Sequence, residues 1–145
     1  MDERREVRGR DVYRHWERMP TRWADNDAYG HVNNVAYYGW FDTVVNRWLV
    51  DRGLLDLGGG QVIGLVVETG CRYLMPLAFP QTVELGLSVR KIGNSSVRYG
   101  LGVFSETSLE AAAEGFFVHV YVDRQTRRPL SLSEEWRQQL SALLS

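Results

Sequence analysis

Residues 24–52 read ADNDAYGHVNNVAYYGWFDTVVNRWLVDR. From residue 34 the apolar side chains recur at three- and four-residue steps: Tyr37, Phe41, Val44, Val45 and Trp48, with Tyr38 and Leu49 widening the stripe. That spacing predicts an α-helix over residues 34–52 with one buried face. Asp42, Thr43, Asn46, Arg47 and Val50 fall on the opposite side. Asn33 is a good N-cap type just ahead of it, and Gly53 a plausible stop. The stretch before the helix is polar: Asp25, Asp27, Tyr29, Gly30, His31 and two asparagines. Polar chemistry is thus gathered at the N-terminus of a helix built for burial.

On the N-terminal side, residues 13–23 mix aromatics with charges and contain Pro20, which predicts a short or edge strand. On the C-terminal side everything after Gly60 reads as a β meander. Residues 62–73 form a long β-branched run that ends in the loop MPLAFP. From Thr82 the alternation is strict, with Val83, Leu85, Leu87 and Val89 on one face and Glu84, Gly86, Ser88 and Arg90 on the other. Gly93-Asn94 marks a hairpin turn, and Val97, Tyr99, Leu101 and Val103 continue the pattern. Residues 114–122 form the last strand, where Phe117, His119 and Tyr121 alternate with Phe116, Val118, Val120 and Val122. A second helix is expected over residues 133–144. Such short connections require an antiparallel sheet. The sum is an α+β domain over residues 13–145, with one long helix covering one sheet face, behind a flexible leader of residues 1–12.

Composition narrows the function. The chain has 145 residues, 44% apolar and 24% charged, which suits one soluble domain. A net charge of −1 gives no field for nucleic acid or an anionic membrane. No apolar run is long enough to span a bilayer. Cys71 is the single cysteine, so no intrachain disulfide forms, and the charged start MDERREVRGR has no secretory apolar stretch. A cytoplasmic location is expected.

A helix N-terminus carries unpaired N–H groups and partial positive charge, which can stabilise an oxyanion. A carboxylate beside it can act as nucleophile or general base. Acyl chemistry is therefore the reading of the cluster. Asp25 is read as a turn residue. Asp25, Asp27 and His31 lack metal-site spacing, so no metal is expected. Cys71 reads as a small residue within an apolar strand, and His119 as an inward or interface residue.

The stretch RWADNDAYGHVNNVAYYGWF resembles the signature of hotdog-fold acyl-CoA thioesterases of the 4-hydroxybenzoyl-CoA thioesterase-like group. CRYLMPL, RKIGNSSVRY and FFVHVYVDRQTRRP are similar to later parts of the same pattern. The resemblance covers about residues 13–130. It implies a hotdog fold and hydrolysis of an acyl-CoA thioester without a cofactor. Asp27 matches the catalytic carboxylate, as nucleophile or general base, and the backbone N–H near Asn34 matches the oxyanion donor. His31 resembles the acyl-carrier-protein thioesterase branch, where a histidine there is catalytic, while Tyr29 departs from that branch's asparagine. Tyr29 and Gly30 are expected beside the substrate. Asp42 is the nearest acid for the family type with a carboxylate on the helix. Arg90, Lys91, Arg98, Arg127 and Arg128, with Arg124, are the candidates for holding the CoA nucleotide. The resemblance also implies a homodimer or homotetramer, with sheets joined edge to edge. Hydrolysis of acyl-carrier-protein thioesters and a non-catalytic acyl-CoA-binding subunit are the alternatives.

Overall fold

The computed structural model describes residues 9–145. Five antiparallel strands and one long helix make up most of it. In chain order they are β1 (His15–Pro20), α1 (Asn34–Asp51), β2 (Val62–Tyr73), β3 (Thr82–Ile92), β4 (Ser96–Ser105), β5 (Ala113–Asp123) and the short α2 (Glu134–Ser141). The α+β expectation holds. Among the described residues, no helix is long and apolar enough to cross a membrane.

The apolar stripe read from the sequence is the buried face of α1. Phe41, Val44, Val45 and Leu49 are fully buried, and Tyr37, Trp40 and Trp48 nearly so. Asn33 caps the helix, its side chain accepting the Val35 N–H. At the other end Gly53 takes φ +73°, a backbone that a side chain would strain. Across from α1, Val83, Leu85, Leu87 and Val89 of β3 and Val97, Tyr99, Leu101 and Val103 of β4 are all fully buried, as their alternation requires. Gly115 of β5 lets the sheet approach α1, since a Cβ there would meet the Phe41 ring at 2.4 Å.

The sheet order is β1-β3-β4-β5-β2, which corrects the simple meander. Only β3, β4 and β5 follow one another. β2 pairs with β5 at the far edge, and β1 takes the other edge beside β3. The reason lies in the loop between β2 and β3, which carries the chain across the sheet beside the N-terminus of α1. Its Leu77 is buried, and the Leu77 carbonyl accepts the Val32 N–H at 2.7 Å. This crossing brings the loop against the polar cluster.

Residues 1–8 of the expected leader lie outside the described residues. Its last part is folded rather than flexible: Arg10–Val12 form a 3-10 turn. The Arg10 guanidinium lies over both the Trp16 and Phe104 rings, which pack against each other, donates to the Ser105 and Ser108 carbonyls, and pairs with Glu84. Cation–π contact and hydrogen bonds together outweigh the solvation expected of a charged tail.

A polar chain runs through the core. The Tyr121 hydroxyl is 2.7 Å from the Tyr99 hydroxyl and 2.9 Å from Nδ1 of His119. Burial pushes His119 down to about 4, so it is neutral at pH 7. The unfolded chain binds that proton near pH 6.5 and the folded chain near pH 4. Stability therefore rises with pH between these values, by up to about 3 kcal/mol. Urea midpoints of the wild type should fall as pH drops from 6.5 to 4, and His119→Gln should flatten that fall.

Candidate active site

The polar cluster forms a tight loop clamped at its base. Trp23–Asp25 make a 3-10 turn. Asp25 is buried, and its carboxylate accepts from the Arg22 backbone N–H at 2.8 Å and from the Arg22 guanidinium at 2.8 and 3.1 Å. Those hydrogen bonds hold the Asp25 carboxyl below the usual carboxylate range. The Asp25 carbonyl accepts the Asn33 N–H at 2.7 Å, closing the loop. Asp25 is thus a structural acid, as its turn-forming character suggested. Asn26, which sequence reasoning passed over, accepts the Phe79 N–H on its side chain at 3.0 Å. It ties the cluster to the loop after β2.

Inside the clamp Asp27 makes an Asx turn. Its N–H donates to the His31 carbonyl at 2.7 Å, and its carbonyl accepts the Gly30 N–H at 3.1 Å. Oδ1 accepts from the Tyr29 and His31 N–H groups at 2.8 and 3.2 Å. Gly30 adopts φ +81°, which explains a glycine at that step. These bonds fix the Asp27 carboxylate through Oδ1. Oδ2 has no hydrogen-bond partner among the described residues. The His31 imidazole and the Tyr29 ring are exposed, and both residues engage Asp27 through their main-chain N–H groups.

The first turn of α1 completes the arrangement. The Val35 N–H goes to the Asn33 side chain at 3.0 Å, and the Ala36 N–H to the Asn33 carbonyl at 3.0 Å. The Asn34 N–H has no partner among the described residues. Asp27 and Asn34 line one open cavity of about 440 Å³, with Tyr37, Tyr73 and Met75 on its other walls. A fixed carboxylate and a free helix-end N–H thus share one cleft, on the positive end of the helix dipole. That pairing suits attack on a carbonyl carbon and stabilisation of its oxygen.

The other candidates lie elsewhere. Asp42 is on the exposed side of α1, where it accepts from the Asn46 side chain at 3.1 Å. The Cys71 thiol is pushed up to about 11 by burial and stays protonated. Its place in a β-strand fits the small-residue reading. Arg124, Arg127 and Arg128 sit at the opposite end of the sheet. Tyr73 beside the cleft pairs with Ala113, and the ladder ends where Val62 pairs with Asp123. At about 3.4 Å per residue, that end is roughly 35 Å away. Arg127 and Arg128 follow it in an exposed loop, and Arg124 is spent on the Gly60 carbonyl at 2.6 Å. Lys91 pairs with Arg98 near the β3–β4 hairpin, the Arg98 guanidinium lies 4.1 Å over the Phe116 ring, and Arg90 lies over Gly100. Within one chain none of these residues meets Asp27. Tyr73 and Met75, which do line the cleft, were legible only as part of the CRYLMPL stretch, with nothing to mark them as site residues.

The sequence profile of the thioesterase-like superfamily matches residues 21–140. None of the curated proteins matches the chain. Among solved structures, the PA5185 protein of Pseudomonas aeruginosa strain PAO1 is 53% identical and superposes with a TM-score of 0.92 over 97% of this chain and 98% of that one. The PA2801 protein of Pseudomonas aeruginosa is 28% identical, with a TM-score of 0.81 over 87% of this chain and 97% of its own. Slr0204, a 1,4-dihydroxy-2-naphthoyl-CoA thioesterase from Synechocystis, shares the fold at 15% identity, with a TM-score of 0.77 over 87% and 94%.

Proposed function

Since the chain belongs to the thioesterase-like superfamily, and is thereby a thioester hydrolase of hotdog fold, we propose that it cleaves acyl-CoA in the cleft between the Asp27 loop and the start of α1. The observation that carries this reading is the pair of uncommitted groups there, Asp27 Oδ2 and the Asn34 N–H. The Asp27 carboxylate either attacks the thioester carbonyl carbon itself or takes a proton from a water that does. The first route gives an acyl anhydride that water then opens; the second gives the acid directly. CoA leaves as its thiol in both. Both build negative charge on the carbonyl oxygen, where the Asn34 N–H and the helix dipole meet it. Tyr29, Gly30 and His31 hold Asp27 in place through their main chains. No cofactor enters the chemistry, and the half-buried thiol of Cys71 suits a reducing cytoplasm.

We assign the nucleotide end of CoA to the loop of Arg127 and Arg128, supplied by a second copy. β2 is an edge strand, and Leu65, Val66 and Val67 stand exposed along it. An apolar open edge invites a partner strand. Two copies of β2 joined about a two-fold axis run antiparallel. The Val62 end of one then lies beside the Tyr73 end of the other, and Arg127 and Arg128 of the partner subunit come to the mouth of this cleft. Arg90, Lys91 and Arg98 are two or three strands further from that edge and are secondary candidates.

Replacing Arg127 and Arg128 together with Ala should raise KM for acyl-CoA and leave kcat little changed, since binding is lost from a remote part of the substrate. An acyl-pantetheine thioester carries no nucleotide phosphates. The double variant should hydrolyse it as the wild type does. Equal losses on both substrates would assign the pair to structure instead.

A further inference from the structure

Tyr73 ends β2 opposite Ala113, which is buried in the core. Its ring packs edge-on against Tyr37, with centroids 5.0 Å apart and planes at 82°. That contact aims the hydroxyl at the first turn of α1, where it lies 3.4 Å from the Asn34 carbonyl oxygen. This is long for an O–H···O hydrogen bond, which is normally about 2.7–2.8 Å. The carbonyl in question is also the one that α1 uses for its own ladder. The phenol is therefore held at the helix start without being consumed there.

We propose that Tyr73 is a catalytic residue that donates its phenolic hydrogen to the thioester carbonyl oxygen, as a second donor beside the Asn34 N–H. Tyr73, Asn34 and Asp27 line the same cavity, and the carbonyl that Tyr73 approaches belongs to the residue whose N–H is free. One oxygen can accept from both donors while its carbon faces the Asp27 carboxylate. The phenol keeps its proton throughout, so the step is a hydrogen bond that strengthens as charge builds on the oxygen. Burial and the neighbouring Cys71 and Tyr38 raise the Tyr73 hydroxyl above its ordinary value, which keeps it protonated across neutral pH. Cys71 thereby acquires a part in the site as a packing neighbour of the donor.

The inference rests on the proposed acyl-CoA hydrolysis, and the two are tested separately. Tyr73→Phe keeps the ring and its packing on Tyr37 and removes only the hydroxyl. With acyl-CoA as substrate, kcat should fall ~10²-fold, the scale of one lost oxyanion donor, while KM and melting temperature stay near the wild-type values. A spectroscopic readout separates donation from packing. A thioester labelled with ¹³C at the carbonyl, bound to Asp27→Asn, should show a lowered C=O stretch, and adding Tyr73→Phe should move the band back up. Should Tyr73→Phe fail to melt cooperatively, 3-fluorotyrosine at position 73 keeps the shape and makes a stronger donor, and the band should move further down. A Tyr73→Phe enzyme with kcat within about threefold of wild type, or an unmoved carbonyl band in either variant, overturns the proposal. If wild type turns over acyl-CoA normally in that case, the Asp27 reading stands and Tyr73 alone is removed. If wild type hydrolyses no acyl-CoA, the functional reading itself fails and takes Tyr73 with it.

Discussion

Asp27→Asn should lower kcat for acyl-CoA hydrolysis by at least ~10²-fold, the contribution of a positioned acid–base group, and by more if the carboxylate is the nucleophile. The geometry makes the variant a clean one. Asn keeps the Oδ1 acceptor that takes the Tyr29 and His31 N–H groups, so the loop should hold its shape. What changes is Oδ2, which becomes an amide with neither negative charge nor basicity. Asp25 supplies the internal contrast, since its carboxylate is already taken by Arg22 on both oxygens. Asp25→Asn should cost mainly stability, seen as a lower melting temperature. Steady-state thiol release from both variants decides the matter: comparable losses of kcat at equal stability would mean that the two acids act together.

Charge placed on the β2 edge should have the second largest effect. Val67 stands at the irregularity where the β2–β5 register shifts between Val66 and Glu68, near the middle of the strand, and is 59% exposed. Two copies joined about an axis near this point would bring Val67 close to its own mate. Val67→Lys then sets like charges against each other and removes apolar area from the join. The wild type should run as a dimer or tetramer by light scattering, and the variant as a monomer. With the partner loop gone, kcat/KM should fall at least ~10-fold, the worth of one or two charge-assisted hydrogen bonds to CoA phosphates. An unchanged oligomer would place the interface elsewhere. A monomer with full kcat/KM would mean that one chain builds the whole site.

Much of this was legible in the sequence where one local rule governs. The stripe from Tyr37 to Leu49, the Asn33 cap and the strict alternation from Val83 to Val89 each need only neighbours along the chain, and each is met in the fold. The position of β2 is not of that kind. Its partner, β5, lies some fifty residues on, and nothing in the run from Val62 to Tyr73 distinguishes a hairpin with β3 from a crossing to the far edge. Arg10 is a similar case: among the charges of the N-terminal stretch it looks solvated, until the fold brings the paired Trp16 and Phe104 rings beneath it. For the cleft, the motif pointed to Asp27 and Asn34, and the structure supplies the reason for their freedom: Asn33 absorbs the neighbouring N–H groups and the turn engages only Oδ1. The basic residues show the limit of reading by residue type. Arg90, Arg98 and Arg127 look alike in sequence, yet the fold puts them on β3, on β4 and in the loop after β5, away from the Asp27 loop of their own chain.

Thiol release by the purified wild-type protein from a panel of acyl-CoA thioesters, aromatic and aliphatic, short and long, tests the central claim most directly. Steady turnover of at least one member without added metal or cofactor is expected, as is loss of that turnover in Asp27→Asn. Absence of thiol release across the whole panel, or turnover that survives unchanged in Asp27→Asn, would contradict it.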